Sequence, residues 1–450
     1  MVSPQHQPAL PLESLEAEPR AVEWLLRAAI VGSLGVLCYL TFASAAFRQM
    51  FLAFEGHSWS RLVERPSLLW AVMGTLMLCL RTALWFRYRP FAPADLTTAP
   101  RLTVIIPAYN EGAMVQQSIE SVAAARYPRD RLEIFVIDDG SKDDTWAHIQ
   151  AAAARHVGLV TALQLPENRG KRHALAEGFK RARGEVLVTL DSDSVIEPDA
   201  LLALAGPFRD ERVGAVAGKV TVLNKAQGVI PRMLAVRFIL SFDLLRAVQS
   251  TYGTVYCCPG ALTAYRADLV RKLLEPWMQQ TFLGARCTFG EDRAMTNFVL
   301  AAGFDTVYQR TAVVRTVVPL TYSKMCKMFL RWDRSYVREE VRYAGILWKR
   351  PPGALVMSLL ETVVNNARYP VSWVSLALLF ALVPTHPLVL VRLLFAMGLF
   401  SAFNMLYYLH SERSTDFLYG ILYSYFSFFA MFWIFPYALV TVRARGWLTR

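Results

Sequence analysis

The sequence predicts an α/β domain with a mostly parallel sheet, set between N- and C-terminal helices of membrane length. Three observations predict it. Apolar strand-like runs alternate with helical patterns through the middle of the chain, as in a sheet whose crossovers are helices. Three acidic marks, Asp138-Asp139, Asp191-Ser192-Asp193 and Glu291-Asp292, closely follow β-like or apolar stretches, where an α/β sheet opens its ligand crevice. Long apolar runs fence this block on both sides.

In chain order, residues 1–20 form a polar tail carrying Glu13, Glu16 and Glu18, without the apolar content a fixed structure needs. Two membrane helices are expected within 21–90. The first run, 22–47, is apolar apart from Glu23 and Arg27 and long enough to span. Ala43-Ser44-Ala45 resembles a signal-peptidase site, but the acidic tail and the length of the run argue against cleavage. The second run, 66–86, carries Arg81, and Arg87 and Arg89 follow it, favouring a cytosolic side for what comes next.

A cytosolic domain is expected over 98–345. Strands are expected at 102–107, 132–137, 159–165 and 185–190, with helices at 114–125, up to about 154, and at 171–181. Two basic amphipathic stretches follow, 229–248 and 322–342. The second interleaves Lys324, Lys327, Arg331, Arg334, Arg338 and Arg342 with large apolar residues, which suits a helix lying at a membrane surface. Residues 346–450 hold three apolar stretches, 354–383, 388–409 and 417–442. Two spans before the domain and three after it would put the C-terminus outside, yet Arg443, Arg445 and Arg450 favour the inside. One stretch is therefore expected to be interfacial or re-entrant, or to split in two.

Composition narrows the partners. The chain of 450 residues is 54% hydrophobic with a net charge of +12, and its mean hydropathy is +0.29, high for a soluble protein. Its basic residues recur beside apolar runs rather than in one tract, so membrane lipid is the expected partner and nucleic acid is not. The six cysteines lack metal-ligand spacing, and reduced thiols fit them better than a disulfide framework.

Each candidate site has a plain reading beside a chemical one. Asp138-Asp139-Gly140-Ser141 is a strand-end turn, or a carboxylate pair facing a uracil ring or ribose. Asp191 and Asp193, spaced i, i+2 after an apolar strand, are a solvated turn, or reach one hard cation together with diphosphate oxygens, for which Mg2+ or Mn2+ is suited. Gly170-Lys171-Arg172-His173 is a solvated basic patch, or a phosphate site at a helix start. Glu291-Asp292 is a helix-start pair favoured by the dipole, or holds the base that takes a proton from an acceptor hydroxyl. Arg331-Trp332 is an interfacial anchor, or a diphosphate contact beside a sugar-stacking ring.

Together these residues resemble membrane-bound family 2 glycosyltransferases over about 101–342. The carriers are Val104-Ile-Ile-Pro-Ala-Tyr-Asn-Glu111, the Asp-Asp-Gly-Ser turn, Gly170-Lys171-Arg172, Asp191-Ser192-Asp193 and Gly290-Glu291-Asp292-Arg293. Thr296-Asn297, the segment from Cys257 to Ala261 and the ending Arg445-Gly-Trp-Leu-Thr-Arg450 are similar to bacterial hyaluronan synthases and to the chitooligosaccharide synthases that make Nod-factor backbones. The resemblance implies a GT-A fold in a multi-pass protein of the cell membrane, using a UDP-sugar donor, a glycan or lipid acceptor and Mg2+ or Mn2+. It implies that Pro107, Tyr109, Glu111 and one of Asp138 or Asp139 shape the uridine site. Lys171, Arg172 and Arg331 would lie near the diphosphate, with Asp191 on nucleotide and metal and Asp193 on the metal. Asp292 would be the base, with Glu291 and Arg293 around it; Trp332, Lys219 and Asn224 would face the acceptor. A non-processive transferase with a lipid acceptor and a non-catalytic scaffold are the rival readings. One departure is plain. The family's Gln-x-x-Arg-Trp reads Met328-Phe-Leu-Arg331-Trp332 here, and methionine supplies no amide. Either Lys327 or another group compensates, or the product is shorter, different or made slowly.

Overall fold

The computed structural model describes residues 20–43, 60–385 and 387–444. The polar tail to residue 19, Ser44-Ala45 and the ending from Arg445 to Arg450 lie outside the described residues. Strand β1 (Leu102–Ala108) is buried at every position. It pairs in parallel with β2 (Leu132–Asp138) and with β4 (Val186–Leu190), and β2 pairs in parallel with β3 (Val160–Gln164). Such double-sided burial in β1, β2 and β4 is why they read as apolar runs rather than as alternation. The chain first builds outward from β1 to β3, then returns to place β4 on the other side of β1. That reversal opens a crevice at the carboxyl ends of β1 and β4.

The second half of the sheet has more mixed pairing. Its remaining strands are β5 (Ser194–Ile196), β6 (Val213–Val222), β7 (Leu262–Arg266) and β10 (Asp305–Thr316), giving the order β3-β2-β1-β4-β7-β6-β10-β5. Here β7 runs antiparallel to both β4 and β6, while β6 and β10 are parallel. A small hairpin, β8 (Thr281–Phe282) with β9 (Ala285–Arg286), leads into the helix Glu291–Ala301. The whole is a GT-A-like mixed sheet, mostly parallel, between apolar helices.

Among the described residues, three helices are long and apolar enough to cross a membrane: Ala21–Phe42, Leu69–Arg87 and Leu393–Glu412. The run expected at 417–442 is the one that breaks, into Phe417–Ala430 and Ile434–Val440 at an angle of 49°. The first C-terminal run forms the helix Pro352–Leu382. It carries Glu361, which receives two hydrogen bonds from Arg81 at 2.9 and 2.5 Å.

Neither amphipathic stretch lies free on a surface. The 229–248 stretch becomes the helix Val229–Ile239, a π-helical segment Leu240–Arg246 and one turn to Ser250. Its Met233, Leu234, Val236, Phe238 and Ile239 are buried, because the helix packs between β6 and the helix Phe417–Ala430. The helix Tyr322–Ile346 is started by Thr321, whose side chain accepts from Lys324 N–H, and it lies between the helices Glu291–Ala301 and Ile434–Val440. Its Arg334 and Arg338 are consequently buried, and only Lys324 and Lys327 of its early cations are exposed.

Candidate active site

Two acidic marks sit where the strands end. Asp138 is the last residue of β2 and has no exposed surface. Its Oδ1 accepts from Ser141 N–H at 3.2 Å and its Oδ2 from the Gln164 amide at 3.0 Å. Asp139 accepts from Arg169 N–H at 3.0 Å and Gly170 N–H at 2.8 Å, tying the β2 turn to the loop before the helix Lys171–Arg181. Burial pushes Asp139 upward, opposed by those two backbone donors. A carboxylate offers about four acceptor sites, so both retain capacity while they shape the loops.

Beside them opens a cleft of ≈ 730 Å³, lined by Tyr109, Gly140, Ser141, Lys142, Gln164 and Asn168 among others. That lies within the usual range for a small-molecule site. Gly140 has φ +69°, and a Cβ there would stand 2.6 Å from the Glu167 carbonyl carbon. Pro107 is buried in β1, and Glu111 accepts from Ser192 Oγ at 2.8 Å, which joins the β1 loop to the β4 loop.

The second and third acidic marks meet through one cation. Lys171 Nζ pairs with Asp191 Oδ1 and lies 3.3 Å from Glu291 Oε1. Burial works against the Lys171 charge, but the Asp191 and Glu291 carboxylates outweigh it and hold the ammonium above its ordinary value. Glu291 is likewise penalised by burial, yet Lys171 brings it below the usual range. Asp292 goes the other way. Burial and the neighbouring Glu291 charge raise it, against Lys171 and the backbone donors Arg293 and Gly260. Its Oδ1 accepts from Arg293 N–H at 2.7 Å and its Oδ2 from Gly260 N–H at 3.1 Å. Two adjacent carboxyls whose affinities for a proton are pushed apart are the usual mark of divided acid–base work.

Asp193, two residues after Asp191, accepts from the Ser194 and Thr316 hydroxyls at 3.3 Å each. Among the described residues no group of three or more acidic, histidine or cysteine side chains gathers as a metal cage. Two carboxylates with donor phosphates suffice for a magnesium-type ion, which keeps several waters.

The other expected site residues are held by partners within the protein. Arg172 donates to Trp277 O at 2.6 Å and Gln280 Oε1 at 3.0 Å, with its guanidinium 5.0 Å from the Trp277 ring centroid. It is a buried packing residue because its side chain leaves the helix on the core side. Lys219 donates to Asp243 Oδ2 at 2.8 Å and Glu412 Oε1 at 2.9 Å, linking the sheet to a membrane-length helix. Asn224 exchanges two bonds of 2.9 Å with the backbone of Val318, a clamp on a loop. Arg293 lies 3.7 Å from Glu340 and over the Tyr336 ring at 4.9 Å. Trp332 is 37% exposed and leans on Phe238 and Phe329, while Arg331 contributes to holding Glu291 ionised. Met328 is buried.

Gly260 belongs to the site and was not picked out as a site residue by sequence reasoning, although the segment carrying it was. A Cβ there would meet Lys171 Nζ at 2.8 Å and Asp191 Oδ1 at 3.5 Å.

Comparison with known proteins identifies the family. The family model described as glycosyl transferase family 2 matches residues 103–274. A hyaluronan synthase of Streptococcus pyogenes is 35% identical over 294 residues, covering 64% of this chain and 68% of that one. An N-acetylglucosaminyltransferase of Azorhizobium caulinodans is 31% identical over 357 residues, covering 79% of this chain and 88% of that one. The chain is a family 2 glycosyltransferase. The transferase also shares its fold with a mannosyltransferase from Pyrobaculum calidifontis, solved with GDP-Man and Mn2+, at a TM-score of 0.58 and 22% identity over 80% of this chain and 98% of that one. With three membrane-length helices among the described residues, the transferase is a membrane protein.

Proposed function

We propose that the transferase moves N-acetylglucosamine, with or without glucuronic acid, from a UDP-sugar to a growing glycan and passes the product out between its membrane helices. The observation that carries this is the buried Glu291-Asp292 pair, held in opposite protonation preferences beside Lys171 and Asp191. Uridine occupies the Tyr109–Gly140 cleft and the diphosphate lies towards Lys171. Asp191 and Asp193, with donor phosphate oxygens, would hold Mg2+ or Mn2+, and the ion would neutralise charge on the departing diphosphate. Asp292, raised by burial and by Glu291, takes the proton of the acceptor hydroxyl as that oxygen attacks the anomeric carbon from the face opposite UDP. Trp332 presents its ring to the acceptor sugar. The likeness to a hyaluronan synthase and an N-acetylglucosaminyltransferase supports the donor. Arg87 and Arg89, exposed at the end of the second apolar helix, support a cytosolic catalytic domain at the cell membrane.

Purified protein in lipid, given single and paired UDP-sugars with Mn2+, tests the product. A long polymer requiring both UDP-N-acetylglucosamine and UDP-glucuronic acid supports the hyaluronan form; product from one donor supports a chitin-like chain. Asp292→Asn should abolish transfer and retain UDP binding, and wild-type turnover in that variant would sink the base assignment. Met328 favours a second reading. Without the amide of the family motif, a short product or a single addition to a lipid acceptor is expected.

A further inference from the structure

The Asp292 and Trp332 sides of the site stand on different helices, whose relative register decides whether base and acceptor meet. Asp292 opens Glu291–Ala301, whereas Trp332 belongs to Tyr322–Ile346. The two helices meet through a set of contacts at the very start of the first. Gly290, at φ +76°, has no room for a side chain: a Cβ would lie 2.0 Å from Ser335 Oγ. Arg338 donates to Phe289 O at 2.6 Å. Further along the first helix, Asn297 Nδ2 donates to Glu339 Oε2 at 3.0 Å and to Glu339 O at 2.9 Å. The other carboxylate oxygen, Oε1, accepts from the Gln280 amide, and Gln280 Oε1 in turn accepts from Arg172 at 3.0 Å. Glu339 is 1% exposed. It is thus a shared acceptor for two amides from separate elements, two helical turns from Arg331 on the same face.

We propose that Glu339 is a positioning residue for glycosyl transfer. Its carboxylate locks the helix bearing Arg331-Trp332 to the helix bearing Asp292, so that acceptor and base meet in one register. The inference rests on the roles of Asp292 and Trp332 proposed above. A buried carboxylate that loses one acceptor leaves an amide facing an amide, whereas an apolar contact would allow sliding. The donor cleft at Tyr109 and Gly140 is built by other loops, so donor binding should be indifferent to this lock.

Two substitutions separate register from bulk packing. Glu339→Gln keeps the volume but offers one amide group where two amide donors need oxygens. Pairing it with Gln280→Glu restores every bond by exchanging the two groups. The carboxylate then placed at position 280 accepts from Arg172 and from the amide nitrogen at position 339, whose amide oxygen accepts from Asn297. The expected result for E339Q is transfer to acceptor lowered about tenfold with the UDP dissociation constant and UDP-sugar hydrolysis by water unchanged. The Q280E/E339Q pair should recover transfer. Transfer and hydrolysis falling together, or a folded double variant without recovery, overturns the proposal. A second measurement needs no substrate. Hydrogen exchange across 328–335 should quicken about tenfold in E339Q and return to the wild-type rate in the double variant. Unchanged exchange in E339Q overturns the lock whatever sugar the enzyme uses, while a wild-type protein that transfers no sugar but shows the exchange pattern fails only the functional reading.

Discussion

Replacing Lys171 with glutamine removes the cation that joins Asp191 to Glu291. Lys171 Nζ lies 3.3 Å from Glu291 Oε1, with both side chains largely shielded from water. A unit pair at that separation is worth about 5 kcal/mol at an effective dielectric of ~20. Breaking a buried pair on one side costs ~3 kcal/mol once water and side chains relax, which is about two pKa units. The loss falls on a carboxyl pair that titrates as a unit. Lys171 holds Glu291 down and restrains the rise of Asp292, so the pair takes up its first proton at higher pH in the variant. The base must be ionised to work. The acid limb of kcat/KM therefore moves to higher pH, by about one to two units, and the plateau drops about a hundredfold as the diphosphate loses a counter-charge. The assay is UDP release with donor and acceptor from pH 5 to 9 (roughly the window in which a raised carboxyl titrates). A limb that stays in place, or moves to lower pH, in folded Lys171→Gln protein refutes the electrostatic coupling of the two acidic marks.

Three further outcomes are expected. Arg172→Met loses bonds to Trp277 O and Gln280 and should lower stability by about 2–4 kcal/mol, read as a lower Tm in detergent, with donor KM unchanged within about twofold; a raised KM at normal Tm would return Arg172 to the diphosphate. Gly140→Ala forces a side chain to φ +69° against the Glu167 backbone, and UDP affinity by calorimetry should fall about tenfold; an unchanged Kd would remove the nucleotide from this cleft. A fragment of residues 98–345 should lack a cooperative melt. Gln309, fully buried, exchanges bonds of 3.0 and 2.8 Å with Phe91, and Tyr88 donates to Tyr308 O at 3.0 Å; a cooperative Tm matching the full chain would show those contacts to be dispensable.

Much of the first half of the fold is legible because β1, β2 and β4 are buried on both faces, and β2 and β4 run into acidic turns. β1, β2 and β4 appear as short apolar runs, and the helix Lys171–Arg181 occupies the span its pattern predicts. β6, β7 and β10 give weaker signals, since glycine, lysine, threonine and arginine interrupt them: β6 reads Val-Gly-Ala-Val-Ala-Gly-Lys-Val-Thr-Val. The site shows the same division. Residue type told where charge gathers, but direction decides what charge touches. Lys171 and Arg172 are consecutive cations at one helix start, yet a step of about 100° around a helix sends one to Asp191 and Glu291 and the other to Trp277. Lys219 and Asn224 share a fate for the same reason: their partners, Glu412 and Val318, are distant in sequence, and no local pattern announces them. A basic, apolar-striped helix looks alike whether its arginines meet lipid headgroups or the rings and carbonyls of neighbouring helices, as Arg338 meets Phe289.

The contacts between sheet and membrane helices explain why this chemistry is built into a membrane chain. Trp85, near the end of the second apolar helix, donates to Asp243 O at 2.8 Å. Asp243, buried in the π-helical segment, accepts from Lys219 at 2.8 Å, Tyr308 OH at 2.7 Å and Arg310 at 3.2 Å. Lys219 also reaches Glu412, at the end of the apolar helix Leu388–Glu412. A purely apolar face between sheet and helices would tolerate sliding, whereas directional bonds to one buried carboxylate are lost within an ångström. A π-helical turn widens the helix where this carboxylate enters, a local irregularity often met at functional positions. Ile30 and Leu78 of the N-terminal apolar helices and Ile434 of the broken pair share one continuous core with Val188 and Leu262 of the sheet. The helix carrying Trp332 packs on that broken pair. The helix bearing Trp332 is therefore held by the apolar C-terminal helices, while the cleft at Tyr109 and Gly140 is built by loops of the sheet.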